Sequence, residues 1–398
     1  MLEKAEIGTL SLKLRVKRLE SVLFFLTLLF LPTQLGRHFW PDFSFIYSLK
    51  IDYLSPTLYF WDILAAGLLI TWVISKPKVN KLALNLLLFF LLTQALSLLG
   101  ANNIGAGLVR FEQYTIAGLF GLYIASNKLI FLPLILGILF ESGLAILQFF
   151  KGGTLGLWIL GERTFSIATP GIAKFNFQGL EFLRPYATFP HPNVLAGYVI
   201  ITLTLLSSRL AVLVGGIAVF LTMSRVAILA GIVLSFIFLR KKLLFFLIIL
   251  ILSPILFIRF SSLFSYDNLT FLRREELFVS SWNLFLENPI LGIGLNNFIP
   301  AQQQLITGPS RFLQPVHNIF LLTLSETGII GLIGLISLIG YSLKLPSIRY
   351  TLYTILFLGL FDHYFLTLPQ GYRLLFLVWG LSFTYPWGAT SAKDATGA

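Results

Sequence analysis

The chain contains no cysteine, four histidines and only 12% charged residues. Without cysteine, disulfide staples, thiolate nucleophiles and thiolate metal sites are all excluded. The scarcity of charge, set against 57% hydrophobic residues and a mean hydropathy of +0.86, excludes an ordinary water-soluble domain. No internal repeat, low-complexity tract or separate soluble domain is visible. What remains is one apolar run after another.

A hydrocarbon layer of roughly 30 Å needs about 20 mainly apolar residues per helix. Runs of this kind predict an all-α, polytopic transmembrane bundle of about twelve spans, a single integral membrane domain over residues 1–398. The spans are expected to start near Ser21, Leu58, Leu82, Leu108, Leu129, Asn193, Leu210, Val226, Leu243, Asn318, Tyr350 and Tyr372. The first run follows a basic stretch (Lys13, Arg15, Lys17, Arg18) without a small-residue cleavage site, so it is read as a span rather than a signal peptide. An even count puts both ends in the cytoplasm. Short basic clusters then fall inside: Lys76, Lys78 and Lys81; Lys128; Arg209; Arg240, Lys241 and Lys242; Lys344 and Arg349. Two large, partly helical loops, 151–192 and 259–317, fall outside with a smaller one around His38 to Pro56.

The net charge of +12 would suit nucleic acid, but orientation and anionic lipid already account for the juxtamembrane clusters, and nucleic acid is set aside. On the outer side the basic residues are Arg37, Lys50, Arg110, Lys151, Arg163, Lys174, Arg184, Arg225, Arg259, Arg273, Arg274, Arg311 and Arg373, ten of thirteen being arginine. Lysine serves orientation equally well; arginine adds a planar fork that matches phosphate oxygens. An anionic ligand on that face follows.

Helices running from outside to inside present free N–H groups and a positive dipole end outward. Basic residues stand at these ends: Arg110 opens the fourth span, Arg184 and His191 precede the sixth, Arg225 opens the eighth, His317 the tenth and Arg373 the twelfth. In "RPYATFPHPNVLAG", Pro190 and Pro192 extend the chain, Asn193 is expected to cap the helix, and Arg184 with His191 make a socket for negative charge. Pro315 and Asn318 repeat the pattern around His317. Blander roles compete. Arg184 and Arg225 would also serve as interface anchors, and His191 and His317 as capping or interfacial histidines. Arg110 would offset nearby Glu112, and Arg274 would be a solvated charge on an amphipathic helix whose Phe271, Phe278, Trp282 and Phe285 share a face. Glu141, Glu326 and Asp362 lie within apolar runs, where Glu326 in "SETGIIGLIGLIG" is expected to bond neighbouring helices at a glycine-lined contact.

Four stretches in order, "RPYATFPHPNVLAGY", "MSRVAILAG", "RREELFVSSWNLFLENPILGIGLNNF" and "HNIFLLTLSETGIIGLIGL", resemble the successive motifs of the O-antigen ligase and polymerase superfamily, from about Arg184 to the end of the tenth span. The resemblance implies a multi-pass glycosyltransferase of the bacterial inner membrane, active on the extracytoplasmic face. Such an enzyme moves a glycan from a polyprenyl diphosphate carrier, usually undecaprenyl diphosphate, to a glycolipid or glycan acceptor, with inversion and without a metal or other cofactor. In the ligase branch the acceptor is lipid A core; in the polymerase branch it is another carrier-linked glycan. Carried over motif by motif, the catalytic residues are Arg184, Arg225, Arg274 and His317; His191, Asn193, Asn318, Arg373 and Arg110 are the expected substrate-binding residues.

The residues read alone agree with this chemistry, because a departing diphosphate gathers charge that arginines and helix N-termini stabilise. The acids of the outer loops (Glu162, Glu181, Asp267, Glu275, Glu276, Glu287) form no Asp-x-Asp pair, and the histidines no His-x-x-His spacing, so no divalent metal site is expected. A lipid or glycan flippase is the competing class. It predicts inverted repeats and ionisable residues at mid-membrane depth, whereas here the charges gather at one surface.

Overall fold

A computed structural model describes residues 2–206, 208–238, 242–261, 269–305, 313–344 and 348–384. Of the residues singled out above, Arg240, Lys241, Asp267 and Arg311 lie outside the described residues. The described chain is predominantly helical: α1 (Leu2–Leu29), α2 (Phe60–Ile74), α3 (Lys81–Ser97), α4 (Ile104–Ser126), α5 (Leu132–Lys151), α6 (Pro192–Leu205), α7 (Arg209–Leu221), α8 (Arg225–Phe238), α9 (Lys242–Ser261), α10 (Leu269–Glu287), α11 (Phe298–Leu305), α12 (Ile319–Gly340), α13 (Arg349–Gly359), α14 (Tyr364–Thr367) and α15 (Pro369–Leu381). Three short antiparallel pairs decorate the loops: β1 (Gly36–His38) with β4 (Thr57–Tyr59), β2 (Phe45–Ile46) with β3 (Leu49–Lys50), and β5 (Lys174–Phe177) with β6 (Leu180–Leu183).

Among the described residues, α3 with its following turn, α5 and α12 are long and apolar enough to cross a membrane, and α2, α6, α7, α8 and most of α9 are apolar but shorter. This establishes a membrane protein rather than a span count. Eleven of the twelve expected starts fall within four residues of the start of α2–α9, α12, α13 or α15; Ser21 instead lies inside α1. Helix starts are written locally. Asn80, Asn103 and Ser208 accept from the third amide of α3, α4 and α7, respectively, and α5 ends on Gly152 in the left-handed conformation (φ 68°). α15 is buried along its whole length and packs on α4, α14 and α6.

One segment departs from regular helix packing and explains a motif. α12 is broken at Gly328 (φ 62°, ψ −165°), which frees carbonyls in the middle of the apolar bundle. The loop between α10 and α11 supplies their donors: Ile293 N donates to Ser325 O (3.0 Å) and Gly294 N to Glu326 O (2.9 Å), while Ile329 N donates back to Pro289 O (2.9 Å). Irregular backbone at this depth persists only when such partners are built in. Glycine is required twice over at Gly292, Gly294 and Gly328: each has positive φ, and a Cβ at each would strike Glu326, Ala101 and Ile290, respectively. Glu326 adds a side-chain clasp, Oε1 accepting from Phe298 N (3.2 Å).

Candidate active site

The loop carrying Arg184 and His191 is held from beneath by α5. Gln148, fully buried, donates through Nε2 to Glu162 Oε1 (2.7 Å) and Ala187 O (3.1 Å), and its Oε1 accepts from Tyr186 N (3.0 Å) and Ala187 N (2.8 Å). Glu162 in turn accepts from the amides of Leu155, Gly156 and Leu157. One helical turn pair further along, Glu141 accepts from Thr188 N and Thr188 Oγ1 (2.7 Å). Buried carboxylates and amides are retained where every lone pair finds a donor. Here they fix the approach to α6.

His191 is the N-cap of α6: its Nδ1 accepts from Asn193 N (3.1 Å), with Pro192 at the first helical position. This corrects the expectation that Asn193 caps the helix. Asn193 instead offers Oδ1 to Arg184 Nη2 (2.7 Å), and Arg184 Nε donates to Thr222 O (2.6 Å). Arg184 thereby joins the start of α6 to the end of α7. Arg225 is the first residue of α8, and its Nε donates to Arg259 O (3.1 Å) near the end of α9; Arg259 Nε returns a bond to Met223 O (2.8 Å). Arg274, on the first turns of α10, donates to Phe361 O (3.3 Å).

These elements enclose a cavity of about 570 Å³. Arg184, Arg225, Arg259, Arg273 and Arg274 line it, with His191, Asn193 and His317, and among the described residues no carboxylate does. Five guanidiniums around one space, beside the N-termini of α6 and α8, make a strongly electropositive hollow. Phe260, Phe271, Phe357 and Phe361 complete the wall. Phe278 and Trp282 of α10 are exposed, as is Phe271 where it lines the cavity, while Leu277, Ser281 and Leu284 are buried; Ser281 Oγ donates to Leu321 O (3.0 Å). Phe285 is half-buried instead of sharing that exposure.

Burial and the cationic surroundings decide protonation. Burial, helped by Arg184, pushes the His191 imidazole down to about 4. Burial also lowers His317; Arg274 adds to this effect, and Asp362 opposes it. Both rings are neutral at pH 7. Burial, with Arg225 adding repulsion, lowers Arg184 to about 10, which leaves it charged at neutral pH.

The remaining expected residues sit elsewhere. Asn318 is the N-cap of α12, Oδ1 accepting from Phe320 N and Leu321 N, and its Nδ2 donates to Leu360 O; it does not line the cavity. Arg110 is buried in α4 and donates to Thr367 O (2.8 Å), Asn296 Oδ1 (3.4 Å) and Tyr53 O (3.5 Å). Arg373 is fully buried in α15, where it donates to Thr33 O (3.0 Å), meets Asp62 at 3.4 Å, and has Trp61 and Tyr59 rings 4.5 and 4.9 Å from its carbon. Neither arginine lines the cavity.

Sequence reasoning named Arg259 and Arg273 only as outer-side charges, and missed Ser224 and Gln314, which also line the cavity. It also missed a cluster. His317, Asp362 and His363 bring three potential metal ligands within 4.8 Å of one another. The expectation of no metal site rested on spacing within single motifs; this cluster joins the start of α12 to the segment between α13 and α14, so no spacing rule exposes it.

Compared with known families, residues 210–336 match the family described as O-antigen ligase. The match contains Arg225, Arg259, Arg274 and His317 and ends before Asp362. No curated protein matches the chain.

Proposed function

We propose that this membrane protein, whose residues 210–336 match the O-antigen ligase family, is an O-antigen ligase-like glycosyltransferase. It takes a glycan from a polyprenyl diphosphate, undecaprenyl diphosphate in bacteria, and delivers it to a hydroxyl of a glycolipid or glycan on the extracytoplasmic side of the inner membrane. The full reading has about twelve spans, with both large loops, 151–192 and 259–317, on that side. The observation that carries it is a cavity lined by five arginines and, among the described residues, by no acid. Such a hollow fits the donor's dianionic diphosphate, which gains a further negative charge as it leaves.

In this reading the diphosphate lies against Arg184, Arg225 and Arg274, and the sugar faces His317. His317, neutral at pH 7, accepts the proton of the acceptor hydroxyl. The acceptor oxygen attacks the anomeric carbon as the bond from that carbon to the phosphate oxygen breaks, and the bonding pair leaves on the diphosphate. One displacement inverts the centre. Fixed donors aimed at the departing charge are worth roughly 10²–10³ in rate each, so several arginines supply the stabilisation that other transferases draw from a cation. Asp362, close to His317, favours the imidazolium formed during the step. Arg110 and Arg373 act as structural residues.

The flippase alternative is disfavoured at the one place that invites it. A broken apolar helix with a buried acid is a feature of transporter sites, yet the Ser325 and Glu326 carbonyls beside the break are taken by Ile293 and Gly294. Purified protein incubated with a polyprenyl diphosphate glycan, and in turn with lipid A core, a second carrier-linked glycan and a free glycan, tests the reading. Sugar appearing covalently on one acceptor, with release of polyprenyl diphosphate, is the expected result and identifies the branch; transbilayer movement of intact donor without transfer overturns it.

A further inference from the structure

His317, Asp362 and His363 have a geometry that the transfer reaction does not use in full. Their ligand-type atoms lie within 4.8 Å of one another, and the two imidazole centroids are 5.1 Å apart, at 67°. A tetrahedral ion with ligands at roughly 2.0–2.1 Å holds neighbouring donor atoms about 3.3 Å apart. Small side-chain rotations close that gap. His363 is already oriented as a metal ligand would be: its Nδ1 is engaged with Thr367 Oγ1 (2.6 Å), which leaves Nε2 for an ion. Asp362 is braced by His363 N, which donates to its Oδ1 (2.9 Å). Independently, His317 Nδ1 is buried without a hydrogen-bond partner, and an unpaired buried nitrogen is costly unless something comes to it.

The donor set selects the ion. Two imidazoles and one carboxylate suit zinc and its neighbours, whereas magnesium and calcium require a shell of oxygens. The surrounding guanidiniums repel any cation, so only an ion bound through directed nitrogen bonds competes there. His317 is also the group that faces the cavity as proton acceptor. An ion on its ring removes the lone pair on which that role depends.

We propose that His317, Asp362 and His363 form an inhibitory site for a borderline transition-metal ion, Zn²⁺ being the natural occupant, which blocks transfer by capturing His317. The inhibitory half rests on the glycosyltransferase reading; the binding half does not.

The test uses the full chain, purified in detergent and stripped with EDTA. Zn²⁺ is titrated against a chromophoric chelator while glycan transfer is measured at the same free Zn²⁺, and Co²⁺ is added separately to read its d–d absorption. One Zn²⁺ per chain is expected, with binding weakened at least tenfold in Asp362→Asn and in His363→Gln, a tetrahedral Co²⁺ spectrum, and inhibition sharing the binding midpoint and reversed by EDTA. Because His363 is buried, Asp362→Asn is the safer variant; Zn²⁺ should raise the Tm of the native chain and not of this variant. Absence of saturable binding, or binding indifferent to both substitutions, overturns the site. One bound Zn²⁺ with transfer unchanged or increased overturns the inhibitory role. A chain that binds one Zn²⁺ at this site but transfers no glycan under any condition sinks the glycosyltransferase reading together with the inhibitory role, and leaves the metal site standing.

Discussion

Arg184 and Arg373 are both buried, yet they sit in opposite company. Arg373 has Asp62 at 3.4 Å, the Thr33 carbonyl, and two aromatic faces. Arg184 has a carbonyl and an amide for partners, and its neighbours in the cavity are further arginines. In the first environment the protein supplies its own counter-charge and the site is complete. In the second, like charges are held together at a cost in self-repulsion that an incoming anion relieves. The presence of arginine at a helix start does not separate these cases; the sign of what surrounds it does.

Lysine substitution gives the largest expected effect, because it keeps the charge and removes the fork. Arg225→Lys and Arg184→Lys are each expected to lower glycan transfer by an order of magnitude or more, with membrane expression retained, measured as sugar transferred per folded protein. Normal transfer by both variants would erase the distinction between a cavity arginine and an anchoring one. Arg373→Met should behave in the opposite way. It leaves Asp62 without its guanidinium, and breaking a buried pair costs about 3–5 kcal/mol, so the thermal midpoint in detergent should fall while transfer per folded molecule stays near the native value. A loss of transfer with an unchanged midpoint would move Arg373 into the site.

A smaller effect concerns pH. Transfer requires neutral His317, whose imidazole is held below its ordinary 6.5 chiefly by burial, with Arg274 adding to the shift. The rate should therefore be flat through pH 7–8 and decline only below 6.5, as His317 takes up a proton. Arg274→Gln removes one of the lowering influences, so the acid limb should move to higher pH whatever happens to the plateau. Stability follows the same sign at His191: its folded value of about 4 lies below the unfolded 6.5, the unfolded chain binds more protons between them, and stability is lost as pH falls through that window. An acid limb that stays in place in Arg274→Gln would separate His317 from the arginine cavity.

Much of this organisation was legible in the residues and some was not, for physical reasons. Helix starts are short-range events, so Asn318 beside Pro315 could be read as a cap where it stands, and Asn80, Asn103 and Ser208 prove to cap their helices by the same local chemistry. Arg225 and His317 stand at helix starts and Arg184 in the segment leading to one, whereas Arg274, six residues into α10, joined them only through the resemblance; all four line one cavity. Whether an arginine meets an acid is long-range: Asp62 reaches Arg373 across most of the chain, and nothing near Arg373 in sequence announces it. The break in α12 was equally hidden, since Gly328 reads as one more packing glycine until the Pro289–Phe298 segment is found against it. Asn193 was misassigned because His191, two residues earlier, is an equally good acceptor for the same end and was already in place as the cap.

The smallest expected effect is none at all, and it sharpens the comparison most. If the charge of a departing diphosphate is met by guanidiniums, as the surroundings of Arg184 suggest, excess EDTA should leave transfer at its native rate, since no step draws on a cation. Arginines can substitute for an ion only if they are already in place when the charge develops. The bonds from Arg184 to Thr222 O, from Arg225 to Arg259 O and from Arg259 to Met223 O hold them there without a ligand. Transfer lost in EDTA and restored by Mg²⁺ or Mn²⁺ would mean that the cavity arginines only recruit the donor and that a cation meets the leaving charge. The same measurement separates two roles for the His317 cluster. An inhibitory Zn²⁺ makes EDTA neutral or activating, whereas a required ion makes it abolish transfer.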